Sequence, residues 1–291
     1  MLEPLQYEFF VRGLISAALV GGLCGFIGVY IVLRRMSYIG HGLSHAIFGG
    51  AVVSYVMSIN FFLGASVWGF LSALLINLTT RKRMIGADAA IGIVTTASFA
   101  LGIALISRYK SFTRSFDAAL FGNILGVTDG DLLAIVVVVA ASLLVVLVGY
   151  KFFLFTTFDP EVARYYGVPT GWADSMLALV LAATIVVSIQ VLGVTMIAAA
   201  IVIPPIVARL LTNSFGRMMT LSAVIGAFCG LGGIYLSYYV DVSSGATVVL
   251  FSATLFMLAL AYTWLRARLA SARGRAAGRS SLLDVETGSF H

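Results

Sequence analysis

Nine apolar runs follow one another along this chain with only short charged islands between them, at about 11–33, 38–58, 62–79, 88–107, 131–150, 172–190, 193–211, 217–240 and 244–265. Each is close to the ~20 residues that a helix needs to cross a bilayer. The hydrocarbon core offers no water to a backbone N–H or C=O, so a spanning segment must satisfy them itself, as a helix or in a closed barrel. Continuous runs of this length predict helices. Charged residues make up 10% of the 291, against about 25% in a soluble domain. The expected fold is an all-α, polytopic transmembrane bundle of about nine spans. The count falls to eight if the run at 193–211 only dips into the membrane or the first run is not fully inserted.

Loop charge orients the bundle. With the N-terminus outside, the inner loops hold Arg34, Arg35, Arg81, Lys82, Arg83, Lys151, Arg164, Arg209, Arg217 and the tail arginines 266, 268, 273, 275 and 279, fourteen of the 18 positive residues. Only Arg12, Arg108, Lys110 and Arg114 remain outside. The reading is N-out/C-in, with the net charge of +6 acting as a topology signal. No basic stripe with interleaved aromatics is present, which argues against nucleic acid as a partner. The first run ends in Arg34-Arg35 without a small-residue cleavage site and reads as a retained span. Cys24 and Cys229 lie within apolar runs and read as small buried hydrophobes.

Two segments lie outside this plan. Residues 108–130 are too polar to span; their inner part, Phe116 to Val127, reads as a short amphipathic or half-membrane helix on the outer side. Residues 1–265 read as the transmembrane domain. Residues 266–291 turn to Arg, Ala, Gly and Ser and read as a basic cytoplasmic tail, helical at first and then disordered, attracted to anionic lipid heads. Within the spans, Gly21/Gly25/Gly28, Gly226/Gly230 and Gly232/Gly233 follow the small-residue spacing that lets helices approach closely.

His41 and His45 are the notable polar pair, in the stretch GHGLSHAIFGG at 40–50. An ionisable group at membrane depth is costly and marks a substrate path or proton relay. Residues i and i+4 stack on one helix face, where two neutral imidazoles suit zinc, iron and related divalent metals. Counted from Arg34-Arg35 at ~1.5 Å per residue, His45 lies ~15 Å deep, about the midplane. The competing reading is two core histidines bonded to nearby carbonyls or hydroxyls. Gly40, Gly42, Gly49 and Gly50 are expected to weaken the helix on both sides of the pair. Ser44 is a pathway candidate, although a serine bonded back to its own helix is the commoner role. No carboxylate accompanies the histidines as H-E-x-x-H would require, and neither a G-x-S-x-G elbow nor a Walker lysine motif occurs. Nothing here hydrolyses ATP.

The segment TTFDPEVARYYGVPT, 156–170, carries a complete helix grammar between two spans. Phe158 precedes Asp159 as N-cap and Pro160 as first helical residue; Glu161 sits in the first turn, where the dipole favours it; Gly167 stops the helix, with Pro169 beyond. The short helix at about 159–167 presents Glu161, Arg164, Tyr165 and Tyr166 to the cytoplasm, either as a plain surface loop or as a dock for a soluble subunit. In the segment 188–211, Gln190 sits at the outer end of a span and Pro204-Pro205 interrupts the next, freeing carbonyls that need other partners. It reads as a bent core helix near the pathway.

Taken together, LRRMSYIGHGLSHAIFGG, ADAAIGIV, LFGNILGV, FDPEVARYYGV and the Gln190–Arg209 segment resemble the permease family of bacterial ABC importers for manganese, zinc and iron, over nearly all of residues 10–265. The resemblance implies a type II importer permease in the bacterial cytoplasmic membrane, similar to the ten-span cobalamin and siderophore permeases without their first helix. It further implies a dimer of permeases around a central pathway, a cytoplasmic ABC ATPase dimer docked on the 159–167 helices, and an extracytoplasmic metal-binding protein. The divalent metal is then cargo, with no permanently bound cofactor. The family is expected to carry an acidic residue then a histidine in the metal pair; His45 matches and His41 departs. The alternative is a secondary, ion-gradient-coupled metal transporter. That mechanism needs intramembrane carboxylates, whereas Asp88, Asp131 and Asp174 all sit at span ends.

Overall fold

The computed structural model describes residues 3–81, 86–109 and 120–287. Its helices are α1 (Glu8–Leu33), α2 (Ser37–Val56), α3 (Phe61–Arg81), α4 (Ala87–Tyr109), α5 (Asp129–Val148), α6 (Tyr150–Phe158), α7 (Pro160–Tyr165), α8 (Thr170–Leu192), α9 (Ile197–Leu211), α10 (Phe215–Val240) and α11 (Ser244–Thr287). Short 3-10 turns occupy Glu3–Gln6 and Ile124–Gly126, and no strand occurs among the described residues. Each apolar run falls on one of these helices. Seven of them are long and apolar enough to cross a membrane: α1, α3, α4, α5, α8, α10 and α11. The other two are α2, whose 20 residues include the histidine pair with several glycines and serines, and α9, with 15 residues.

Helices α1 and α8 form the centre, each with 72% of its apolar window buried, against 17% for α5 and 11% for α11. Their nearly all-round apolar surface is what a helix surrounded by other helices requires. The glycine spacing explains how α1 packs so deeply. Along the α1–α10 seam Gly21 meets Gly226, Gly25 meets Ser222 and Ala17 meets Gly230, backbone against backbone. Ser222 Oγ adds a donated bond to the Gly25 carbonyl at 2.6 Å. Lipid tails give apolar helices no hydrophobic reason to associate, so close backbone contact and interhelical hydrogen bonds supply the cohesion.

Pro204 and Pro205 lie inside α9. Proline at 205 leaves the carbonyl four residues earlier, that of Ile201, without a helical donor. That oxygen is turned onto Gly28 of α1, where any Cβ would overlap it. Glycine at 28 is therefore the counterpart of proline at 205.

The glycines flanking the histidines behave differently from expectation. Helix α2 is unbroken from Ser37 to Val56. Gly42 and Gly49 instead seat α2 against Ile91 and Ser98 of α4, Gly50 against Trp68 of α3, and Gly40 against Ile201 of α9. Their missing side chains are filled by neighbours, and this packing outweighs the ~1 kcal/mol helix penalty of each glycine.

Three further differences arise in the connections. The run ending near 150 breaks at Gly149, and α6 continues as a separate nine-residue helix. Of the outer segment at 116–127, positions 116–119 lie outside the described residues, as do Lys82, Arg83, Lys110 and Arg114. Its described part leaves a helix at Leu120–Phe121 and continues as a tucked loop with the 3-10 turn Ile124–Gly126. Thr195 Oγ1 donates to the Leu120 carbonyl at 2.8 Å, the Asn123 N–H donates to the Gln190 carbonyl at 2.9 Å, and Gly122 and Gly193 meet with φ of 80° and 73°. The backbone of the tail stays helical through Thr287, where the composition predicts disorder.

Candidate metal pathway and coupling segment

His41 and His45 stand one turn apart on α2, both half-buried. Their ring centroids are 4.6 Å apart and the planes cross at 74°. Tyr38, one turn earlier, lies 5.7 Å from His41. Phe99 of α4 meets His45 edge-on at 5.2 Å. Zinc–imidazole bonds are ~2.0–2.1 Å, and rings this close could each offer a nitrogen to one ion. Two nitrogens are fewer than a closed site needs, and no group of three or more His, Cys, Asp or Glu comes together among the described residues. One chain could supply two of a metal ion's ligands here.

The remaining pathway candidates are not gathered around the pair. Ser44 is fully buried and its hydroxyl donates to the His41 carbonyl at 2.8 Å, bonding back along its own helix. Gln190 sits near the end of α8, its carbonyl engaged by Asn123. Pro204 and Pro205 are buried in α9, with Pro205 against α1.

The second group lies at the opposite edge of the bundle from the tucked loop. Asp159 caps α7 by accepting from the Val162 N–H at 2.9 Å, with Pro160 in the first turn. At the other end the Val168 N–H reaches the Ala163 carbonyl and the Gly167 N–H that of Arg164, at 2.9 and 3.1 Å. Gly167 takes the left-handed φ of 76° that this C-terminal motif requires. Ala163 faces inward and is fully buried. Tyr165 and Tyr166 point away, 86% and 72% exposed, beside exposed Glu161 and Arg164 and the exposed ring of Phe158.

The family of the chain is decided by comparison with known proteins: the ABC 3 transport family matches residues 6–263. The chain belongs to that family. It is 37% identical over 261 residues to the manganese transport system membrane protein MntC of Halalkalibacterium halodurans, covering 90% of this chain and 89% of that protein. A Haemophilus influenzae protein described as a "probable iron transport system membrane protein" is 34% identical, with 92% and 98% covered. The solved structure of PsaBC from Streptococcus pneumoniae, in complex with Fab, superposes with a TM-score of 0.81 at 36% identity, covering 89% of this chain and 93% of that one. This ABC 3 family member is thus the multi-pass permease subunit of an importer in the bacterial cytoplasmic membrane, and ATP hydrolysis belongs to a separate subunit.

Behind the permease's α7 stands a residue that the sequence marks only as a topology charge. Arg34, at the end of α1, donates to Asp174 Oδ1 at 2.6 Å, to Thr156 Oγ1 at 2.8 Å and to Thr157 Oγ1 at 3.0 Å. Its side chain is 12% exposed. One guanidinium therefore ties α1 to both helices that flank α7, an arrangement that suits the planar fork of arginine and not the point charge of lysine. Asp174 at a span end is the signal the sequence offers. The pairing of two residues 140 positions apart is not legible there. Phe99 is hidden for the same reason, as is Thr95 of α4, whose buried hydroxyl has no partner among the described residues and lies against Gly42.

Proposed function

We propose that this permease moves a divalent transition metal inward, with manganese, zinc or iron as cargo, through a pathway that His41 and His45 line. The observation that carries the reading is the edge-to-face imidazole pair, centroids 4.6 Å apart, on α2 of a chain whose relatives are described as manganese and iron transport proteins. Two copies related by an axis beside α2 would bring four imidazoles together, a tetrahedral nitrogen set. A transport site has to release its ion, so water replacing part of that set suits the task. In this arrangement all nine helices on apolar runs cross, N-out/C-in. Arg34-Arg35, Arg81 and α7 then face the cytoplasm, as the positive-inside rule demands. Helix α7 is the coupling element for the ATPase. An extracytoplasmic binding protein delivers the ion, and the partner permease is a second copy.

The test is uptake of radioactive manganese and zinc into proteoliposomes holding the permease–ATPase complex, with binding protein outside. ATP-dependent accumulation is the expected result. Accumulation driven by an ion gradient without ATP would overturn the reading.

A further inference from the structure

A cavity of about 380 Å³ lies behind the coupling helix, walled by the ends of α1, α2, α3, α6, α7 and α8. It is separate from the histidine pair. Its α2 residue, Ile39, is turned roughly 160° around the helix from His41, at ~100° per residue. One side is apolar, formed by Ile39, Ile76, Leu177 and Leu181. The other carries cationic and hydroxyl donors: Arg34, Arg164 and Thr157.

The donor inventory shows spare capacity. Arg34 has five N–H groups, and Asp174, Thr156 and Thr157 take three of them. Thr157 Oγ1 accepts from Arg34, and its own O–H has no acceptor among the described residues. The Arg164 side chain has neither an ion pair nor a hydrogen bond among them. Asp174 is the one acidic residue in the lining and is already engaged by Arg34. Two guanidinium groups against one carboxylate leave the polar side net positive. A pocket of this size, with an apolar wall and a few converging donors, has the make-up of a ligand site, and a basic pocket between helices at the inner face suits an anionic headgroup.

We propose that the cavity binds an anionic phospholipid of the inner leaflet. The phosphate lies between Arg34, Arg164 and the Thr157 hydroxyl, and the start of an acyl chain lies on Ile76, Leu177 and Leu181. The proposal rests on the inward placement of this face argued above. An occupant there bridges the root of the coupling helix to the Arg34 tie, so the lipid stiffens the element on which the ATPase pulls. A soluble phosphate shares the headgroup chemistry but leaves the apolar wall empty, and for that reason lipid is the occupant.

Native mass spectrometry of the permease–ATPase complex, released from nanodiscs of phosphatidylcholine with a minor share of phosphatidylglycerol, tests this directly. The expected result is one retained phosphatidylglycerol per permease. Arg164→Ala should weaken retention by about tenfold, the worth of one charge-assisted hydrogen bond, and Ala178→Trp should abolish it by filling the cavity. If the tryptophan variant fails to assemble, Arg164→Ala alone decides. Equal retention in parent and Arg164→Ala overturns the proposal. So does displacement of the lipid by millimolar inorganic phosphate, which would mark a site for a free anion. Loss of metal uptake in every lipid, with phosphatidylglycerol still retained, would count against the transport reading and leave the lipid site standing.

Discussion

His45 is the residue on which the transport reading turns. It lies opposite Phe99 at 5.2 Å and beside His41, and among the described residues no hydrogen bond ties its ring to a neighbouring carbonyl. A core histidine would have such a bond, so the imidazole is available to an ion. His45→Ala is expected to abolish uptake while complex assembly and basal ATP hydrolysis persist; unchanged uptake would remove the site assignment. His41 makes a sharper case. His41→Asp should raise manganese transport relative to zinc, because a hard oxygen replaces a borderline nitrogen. Uptake of both metals with one binding protein checks it. An unchanged ratio would mean that selection occurs before the ion reaches this pair.

Helix α7 is almost fully legible from sequence because its signals are local. Asp159, Pro160 and Gly167 each act within one turn of themselves, and the helix found, Pro160–Tyr165, ends close to the expected stop. Helix α6 is not legible. Gly149 breaks a continuous apolar run, and nothing in YKFFLFTTF distinguishes a separate short helix from the end of a span. The glycines of α2 mislead for a related reason: a helix-weakening residue and a close-packing residue have the same letter, and only the neighbour decides. At this scale Tyr165→Ala and Tyr166→Ala should each weaken ATPase docking by about 2 kcal/mol, roughly thirtyfold, as exposed aromatics that fill a partner groove do. Binding of the isolated ATPase to nanodisc-held permease measures it, and wild-type affinity in both variants would place the dock elsewhere. Arg34→Ala should lower the thermal midpoint of the detergent-solubilised chain, with a cost of about 2 kcal/mol from three lost charge-assisted bonds made partly out of solvent. It should also allow ATP hydrolysis without transport. Arg34→Lys should fail to restore coupling, since one ammonium cannot reproduce the fork across Asp174, Thr156 and Thr157.

At the scale of the whole molecule, depth of burial does not follow hydropathy. Helix α5 is the most apolar of the seven long helices and yet sits at the periphery, 17% buried, while α1 is 72% buried. In lipid an apolar surface gains nothing by leaving its surroundings, so Val and Leu on α5 have no cause to turn inward, whereas small residues on α1 admit a second backbone. The sequence carries this in its glycine spacing but does not reveal which helices the spacing joins; Gly21 with Gly226, Gly25 with Ser222 and Ala17 with Gly230 are pairings across some 200 residues. They fix one antiparallel register, since a shift by one residue would set a side chain against a carbonyl. A volume test of that seam follows. Gly226→Val places its added carbons on the Gly21 carbonyl, and because the contact on both sides is backbone, neither helix can yield without separating from the other. The expected outcome is loss of the folded, monodisperse chain in fluorescence-detected size exclusion, with Gly21→Val behaving alike. Gly216 lies in the same α10, and a Cβ added there would meet nothing within 4 Å, so Gly216→Ala should fold normally and gain up to ~1 kcal/mol from helix propensity. A well-folded Gly226→Val would show that α1 and α10 do not meet through this seam.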